Sequence, residues 1–368
     1  MIEIERFSAE PKTLWEFITL SEKIYHADPR CIPPSKEKVF TQLSQEAPFF
    51  GKGELIHFLA REGGKPVGRI SAMINSRALE DGQPIGYLGF FECLQDYAIA
   101  EKLLDASLDW LRERKISIVR GPINGSTWHS YRFLTKGFEQ APFLLEPYNP
   151  DYYPSFFERF GFRVKKKYYS SIVTYHERQI QSAEEKFEKF TELGYSTRPL
   201  DLKNFERELR LLYELSIEIF RDNWEYTEIS WKEFSALYDG LERLIDPELV
   251  LFAYDPQKKP VGFVFAIPDY AEAVRQMGGA STLLSRLRFV LTRRKPEAAI
   301  VKTLGVLPEI RQAGVGSVLV ALVHRIIQQK GYTKAIHALM SEENASRKIS
   351  EKSGEAFKEY AVYEIILQ

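Results

Sequence analysis

The chain has 368 residues, longer than one ordinary hydrophobic core, and suits two domains of roughly 150 to 200 residues each. A composition 44% hydrophobic and 27% charged, with 25 Phe and 19 Tyr, excludes a disordered chain. Fifty Lys and Arg stand against 51 Asp and Glu, which leaves no global field for nucleic acid or an anionic membrane, so any such binding must be local.

The first residues, MIEIERFSAEPKTLWEF, carry acidic groups where a secretory signal needs a basic stretch and an apolar run. The longest apolar run, Val315 to Val323, falls short of the roughly 20 residues that span a bilayer, so a cytoplasmic protein without membrane insertion is expected. Cys31 and Cys93 have neither CxxC nor metal-ligand spacing, and free thiols in a reducing compartment are expected, with no metal site.

In chain order, PKTLWEFITLSEKIYHADP places Leu14, Phe17, Ile18, Ile24 and Tyr25 at helical spacing and stops at Asp28-Pro29. A hairpin pattern, LIHFLAREGGKPVGRISAMIN, and a strand, IGYLGFFECL, follow. Ala98 to Lys115 is a helix with Leu103, Leu104, Leu108 and Leu111 on one face, and ISIVRGPI is the next strand. A short helix in YNPDYYPSFFERFGF ends at Gly161 before another strand. Glu177 to Leu193 is a charged helix with few core positions, suited to a connector.

The second half replays the first. Helix LKNFERELRLLYELSIEIF, strand and turn LVLFAYDPQKKPVGFVFAIPD, strand AIVKTLGVLP, helix GSVLVALVHRIIQQKG, strand YTKAIHALM, short helix NASRKISEKSG and strand EYAVYEIIL follow in turn. REGGKPVGRISAM answers YDPQKKPVGFVFAI, and such internal duplication is stronger evidence than either half alone. Asp269 to Ala298 has no counterpart. It carries Arg286, Arg288, Arg293, Arg294 and Lys295, either a solvated surface helix or a grip for an acidic substrate, a phosphate or a membrane surface.

The chemistry concentrates in VLPEIRQAGVGSVLVALVHRI. A strand ends at Val306-Leu307, Pro308 breaks the ladder, and Gly314 and Gly316 open a helix. The first turn of a helix has amides without intrahelical partners at the positive end of its dipole, and glycines let a phosphate approach them. Arg311 adds a charged donor. There is no GKT or GKS for a nucleoside triphosphate, nor an acidic residue about 20 positions on for a dinucleotide ribose.

The run VLPEIRQAGVG, then LVHRIIQQKGY, then NASRKISEKSG, resembles the GCN5-related N-acetyltransferase (GNAT) superfamily pattern V-x-P-x-x-R-x-x-G-x-G, helix, strand, Asn-bearing helix ending in Gly. The resemblance is specific over Ser196 to Gln368 and weaker, by topology and YYPSFFERFGF, over Met1 to Tyr175. It is similar also to bacterial two-domain acetyltransferase-like proteins. The resemblance implies an α/β chain of two GNAT-type domains in tandem, with mixed, splayed sheets flanked by helices. Residues 1–176 would be a degenerate GNAT-like domain without a pyrophosphate loop, 177–195 a connector helix, and 196–368 the domain with the acyl-CoA loop. It implies acetyl-CoA, or another acyl-CoA, as co-substrate: Arg311, Gln312, Ala313, Gly314, Val315, Gly316 and Ser317 would cradle the pyrophosphate, Val306 and Leu307 would present the pantetheine edge, and Asn344 would face the far side. In many relatives a Tyr protonates the departing thiolate, and here Ser350 stands at that position, with Phe157 in the first half.

The activity expected is acyl-CoA-dependent N-acyl transfer by direct attack in a ternary complex, with His337 and Ser350 as catalytic candidates and Glu343 and Tyr363 behind them. The partner expected is a small-molecule or peptide amine, without nucleic acid, and a homodimer is compatible with the sequence. Two alternatives stay open: a non-catalytic acyl-CoA-binding or regulatory module, and a long-chain acyl or aminoacyl transferase near membranes. RGPINGSTWHS, Arg120 to Ser130, reads as a turn with an aromatic plug rather than as a site.

Overall fold

A computed structural model describes residues 1–32, 34–44, 53–174, 177–277, 289, 296–344, 347, 350 and 354–368. The first half runs β1 (Ile2–Phe7), α1 (Pro11–Ile24), α2 (Lys36–Leu43), β2 (Gly53–Glu62), β3 (Lys65–Glu80), β4 (Gln83–Cys93), α3 (Tyr97–Arg112), β5 (Ile118–Gly121), β6 (Phe133–Lys136), α4 (Tyr152–Phe160) and β7 (Arg163–Thr174). Helix α5 (Glu177–Glu192) leads to the second half: β8 (Ser196–Pro199), α6 (Phe205–Phe220), α7 (Trp231–Leu237), β9 (Val250–Tyr254), β10 (Pro260–Pro268), α8 (Ala271–Gln276), β11 (Ala298–Val306), α9 (Val315–Gln329), β12 (Lys334–Ser341) and β13 (Gly354–Ile366).

Each half is an antiparallel meander that ends in one parallel pair, β4 with β5 and β11 with β12, joined by a long crossover helix. In α3, Ile99, Leu103, Leu104, Leu108 and Leu111 recur at helical spacing and are buried, and Asp96 caps the helix by accepting from the Ala98 amide. In α9 the buried set is Val315, Val318, Leu319, Val320, Leu322, Val323 and Ile327. Both helices thus press an apolar stripe onto the sheet. Helix α5 packs against α9, where the Arg325 guanidinium lies 5.8 Å from the Phe187 ring.

The halves exchange their last strands. β7 of the first half pairs with β12 of the second, Ile172 opposite Ile336, while β13 of the second pairs with β5 of the first, Val119 opposite Ile365. β7 and β13 then pair with each other, Tyr168 opposite Tyr360. Where the sequence suggests two sheets, hydrogen bonding makes one, thirteen-stranded among the described residues, in the order β1-β2-β3-β4-β5-β13-β7-β12-β11-β10-β9-β8, with β6 beside β13. The physical reason is that each parallel pair leaves a bare strand edge, and the exchanged strands cover both.

At the seam, Lys358 and Glu146 are fully buried with Nζ 2.8 Å from a carboxylate oxygen. Tyr360 donates its hydroxyl to the same carboxylate at 2.6 Å. The Ser170 hydroxyl donates to the Tyr360 oxygen, and the Leu339 amide donates to Ser170 Oγ. Seam and β12 are therefore one hydrogen-bonded unit.

No helix among the described residues is long and apolar enough to cross a membrane. Both cysteines are free thiols. The basic residues Arg286, Arg288, Arg293, Arg294 and Lys295 lie outside the described residues.

Candidate active site

β11 and β12 pair only from Ala298 with Lys334 to Val301 with His337, and then part. Two irregularities drive the separation. β11 bulges against β10, so that Lys302 has no partner between Val301 opposite Ala266 and Thr303 opposite Phe265. β12 breaks register with β7 between His337 and Met340, and Leu339 there has φ +58°. The opening is a cleft of about 120 Å³ lined by Val301, Lys302, Thr303 and Leu304 on one strand, by His337, Ala338, Leu339 and Met340 on the other, and by Phe220, Val320 and Asn344. The first half reaches β12 beside the cleft through one side chain. Arg132 donates to the Leu339 carbonyl at 3.0 Å while its guanidinium lies between the Tyr131 and Tyr168 rings, 3.7 and 3.8 Å away.

At one end of β11 stands the glycine loop. Pro308–Ala313 forms a short 3-10 turn, Gly314 follows at φ +77°, and α9 begins with Gly314 as N-cap and no side-chain cap. The first-turn amides of α9 therefore face outward without a side chain over them. A Cβ on Gly314 would meet nothing within 4 Å, and one on Gly316 would come within 3.5 Å of Val306. Val315 is buried, so it offers only its backbone, while Arg311, Gln312 and Ala313 are exposed. This geometry suits an anion, with room in front of it.

Two residues sit differently from the role their motif implies. Arg311 directs Nη2 at the Ile219 carbonyl, 3.0 Å, and Nε at the Val306 carbonyl, 3.4 Å, and so ties the loop to the end of α6. The Leu307 amide donates to the Val261 carbonyl on β10. In an antiparallel ladder bonded and non-bonded pairs alternate, so Val306, opposite Gly262, turns its main-chain groups to the other edge, toward the cleft. Of the two edge candidates, Val306 is the one that turns its main-chain groups away from β10, with its carbonyl accepting from Arg311.

The two catalytic candidates meet. His337 Nδ1 and Ser350 Oγ form a hydrogen bond, and Ser350 Oγ lies 3.0 Å from Met340 Sδ. On the other side His337 Nε2 is 2.7 Å from His324 Nε2, on α9. Burial pushes the His337 imidazole down to about 3, helped by the neighbouring His324, and burial alone pushes His324 down to about 4. Both rings are neutral at pH 7 and can pass a hydrogen along the row. Asn344 lines the cleft.

The remaining candidates lie elsewhere. Glu343 is largely exposed and pairs with Lys166 at 2.5 Å. Tyr363, on β13, donates to Glu158 at 3.0 Å and packs with Phe133 and Phe157 in the first half. In the Arg120–Ser130 segment, Trp128 donates Nε1 to the Thr227 carbonyl at 2.8 Å and its ring meets Tyr226 and Phe234. Sequence reading passed over His324 and Lys302. Each is an ionisable residue set in an otherwise mostly apolar run, VLVALVHRII and AAIVKTLGV, beside Arg325 and Thr303 respectively, and that is the signal that marks them.

Comparisons with known proteins bear on the family and the fold. A family model described as the acetyltransferase (GNAT) family matches residues 211–354, from within α6 to the start of β13. A bacterial ceramide synthase of Caulobacter vibrioides is 26% identical over 96% of this chain and 95% of its own length. Protein YghO of Escherichia coli is 23% identical over 95% of this chain and 91% of its own. A solved tandem GNAT protein from the clavulanic acid biosynthesis pathway, 12% identical, superposes over 100% of this chain and 98% of its own with a TM-score of 0.54, which supports the tandem fold.

Proposed function

We propose that this chain, whose residues 211–354 match the acetyltransferase (GNAT) family model, transfers an acyl group from an acyl-CoA to an amine acceptor, by direct attack in the cleft between β11 and β12. The observation that carries the reading is the uncapped, glycine-led start of α9 at the end of β11, a strand whose edge opens onto that cleft. The amides of Gly314 to Ser317 suit the pyrophosphate, and the Val306 edge suits the pantetheine amides. The thioester then reaches the parting of the strands.

Acyl transfer requires that an amine nitrogen attack the carbonyl, that the oxyanion be stabilised and that the thiolate leave protonated. Main-chain amides on the open edge of β11 suit the oxyanion. Ser350, at the position where relatives carry Tyr, is a weak acid alone. Its bond to His337, backed by His324, supports a relay in which the serine hydroxyl gives its proton to the thiolate and recovers one from the imidazole.

For the acceptor, the Caulobacter relative is named for ceramide, the amide of a long-chain amino alcohol. That name supports a long-chain amine and a long acyl chain as the first substrates to try. The test is thermal unfolding with acetyl-CoA and palmitoyl-CoA, followed by CoA release with a panel of amines that includes sphinganine. Stabilisation with release carries the reading. Stabilisation without release from any amine favours an acyl-CoA-binding module instead.

A further inference from the structure

Lys302 is a charged residue in the apolar run AAIVKTLGV, and nothing in the relay above uses it. It occupies the bulge of β11, one residue past the last parallel pair, Val301 with His337. Its side chain lines the cleft. Among the described residues it forms no hydrogen bond and no ion pair. Lys302 is half-buried, and an amine drawn partly out of water with no anion paired to it is costly to keep charged.

The groups around it deepen that cost. From the first half comes Arg132, whose charge acts on Lys302 and whose Nε is buried without a partner. From β12 comes His337, neutral at pH 7, and from the turn after it Asn344. α6 and α9 contribute Phe220 and Val320. Among the described residues no carboxylate lines the cleft.

We propose that Lys302 is the catalytic base that takes the proton from the acceptor's ammonium. The inference rests on the acyl-transfer reading above. The neutral Lys302 amine accepts one proton, and the freed nitrogen lone pair forms the C–N bond to the thioester carbonyl. Collapse of the tetrahedral species breaks the C–S bond, and the second nitrogen proton balances the one that Ser350 gives to the thiolate. The products are the amide, the thiol and a Lys302 ammonium that returns its proton to solvent. Burial, with Arg132 adding to it, pushes the Lys302 ammonium down to about 8. At that value roughly a quarter of it is neutral at pH 7.5, against well under a hundredth for an exposed lysine near 10.4.

Two measurements test it. The first labels all lysines of the whole protein competitively with acetic anhydride across pH 6.5–10.5 and reads Lys302 by mass spectrometry, with and without CoA. Lys302 should inflect near 8 and be protected by CoA. Titration with the exposed lysines overturns the assignment. The second follows CoA release from acetyl-CoA with the best amine of the panel, for wild type, Lys302→Met and Lys302→Arg. Wild-type kcat/KM should rise with pH and level above about 8. Both variants should lose about 100-fold at pH 7 and keep rising with slope one, tracking the acceptor's own free amine. Both should keep full stabilisation by CoA. Rescue by Arg overturns the base role in favour of charge alone, and acyl transfer to Lys302 itself from acetyl-CoA overturns it in favour of a nucleophile. If CoA neither protects nor stabilises wild type, the acyl-CoA reading fails first and the base assignment falls with it.

Discussion

The Nε2 atoms of His324 and His337 stand 2.7 Å apart, so one ring nitrogen carries a hydrogen and the other accepts it. With both rings neutral, the orientation of that hydrogen sets whether His337 Nδ1 donates to Ser350 or accepts from it. A helix residue therefore governs the protonation of a strand residue in the cleft. His337→Phe should lower kcat about 100-fold and leave stabilisation by acetyl-CoA intact. His324→Phe should lower kcat about tenfold with KM for acetyl-CoA unchanged, because it removes orientation and not contact. Steady-state kinetics on the three proteins checks both.

The buried histidines also make the fold acid-sensitive. Burial lowers His57 and His337 to about 3 and His129 and His324 to about 4. Below about 6.5 the unfolded chain protonates these rings while the folded chain does not. The unfolded state then binds more protons, so stability is full above about 6.5 and falls as the pH drops toward 4. Each such ring contributes a slope of about 1.4 kcal/mol per pH unit in that window. Urea unfolding at pH 7, 6 and 5 should show the decline, and His57→Phe should make it shallower.

The seam offers a stability prediction independent of catalysis. Lys358 and Glu146 are both fully buried, so Glu146→Ala leaves an ammonium unpaired in the interior and should cost about 3–5 kcal/mol. Replacing both partners, Glu146→Leu with Lys358→Met, should recover most of that loss. Denaturant unfolding of the single and double variants gives the answer.

Much of the architecture was legible because it is written in local periodicity. Leu103, Leu104, Leu108 and Leu111 mark a helix, and Pro308, Gly314 and Gly316 mark a strand end and a helix start wherever they occur in space. The strand exchange was not legible. β7 and β13 carry period-two patterns that fit either sheet, and the choice between them is a contact across roughly 190 residues, such as Ser170 with Tyr360. The cleft was half legible for the same reason. His337 and Ser350 could each be singled out, but their bond, and the third member His324, depends on how a helix, a strand and a turn converge. Arg311 shows the opposite limit. Its motif position implies a charge for an anion, whereas its guanidinium is held by the carbonyls of Ile219 and Val306.

Arg311 therefore yields a prediction that separates tie from ligand. Arg311→Ala should weaken the join between the glycine loop and the end of α6, raising KM for acetyl-CoA several-fold with kcat little changed. Arg311→Lys should not rescue it, since an ammonium lacks the planar fork that reaches two carbonyls at once.

The central claim is that the start of α9 is the acyl-CoA cradle, and Gly314 tests it most directly. Its Cβ direction is open but its φ is +77°, so Gly314→Ala should cost about 1 kcal/mol of stability and still bind. Gly314→Glu adds the same strain and sets a negative charge where the pyrophosphate must lie. The deciding measurement is the thermal shift produced by saturating acetyl-CoA in wild type, Gly314→Ala and Gly314→Glu. A shift of several degrees in the first two and none in the third is the predicted result. An equal shift in all three would contradict the account.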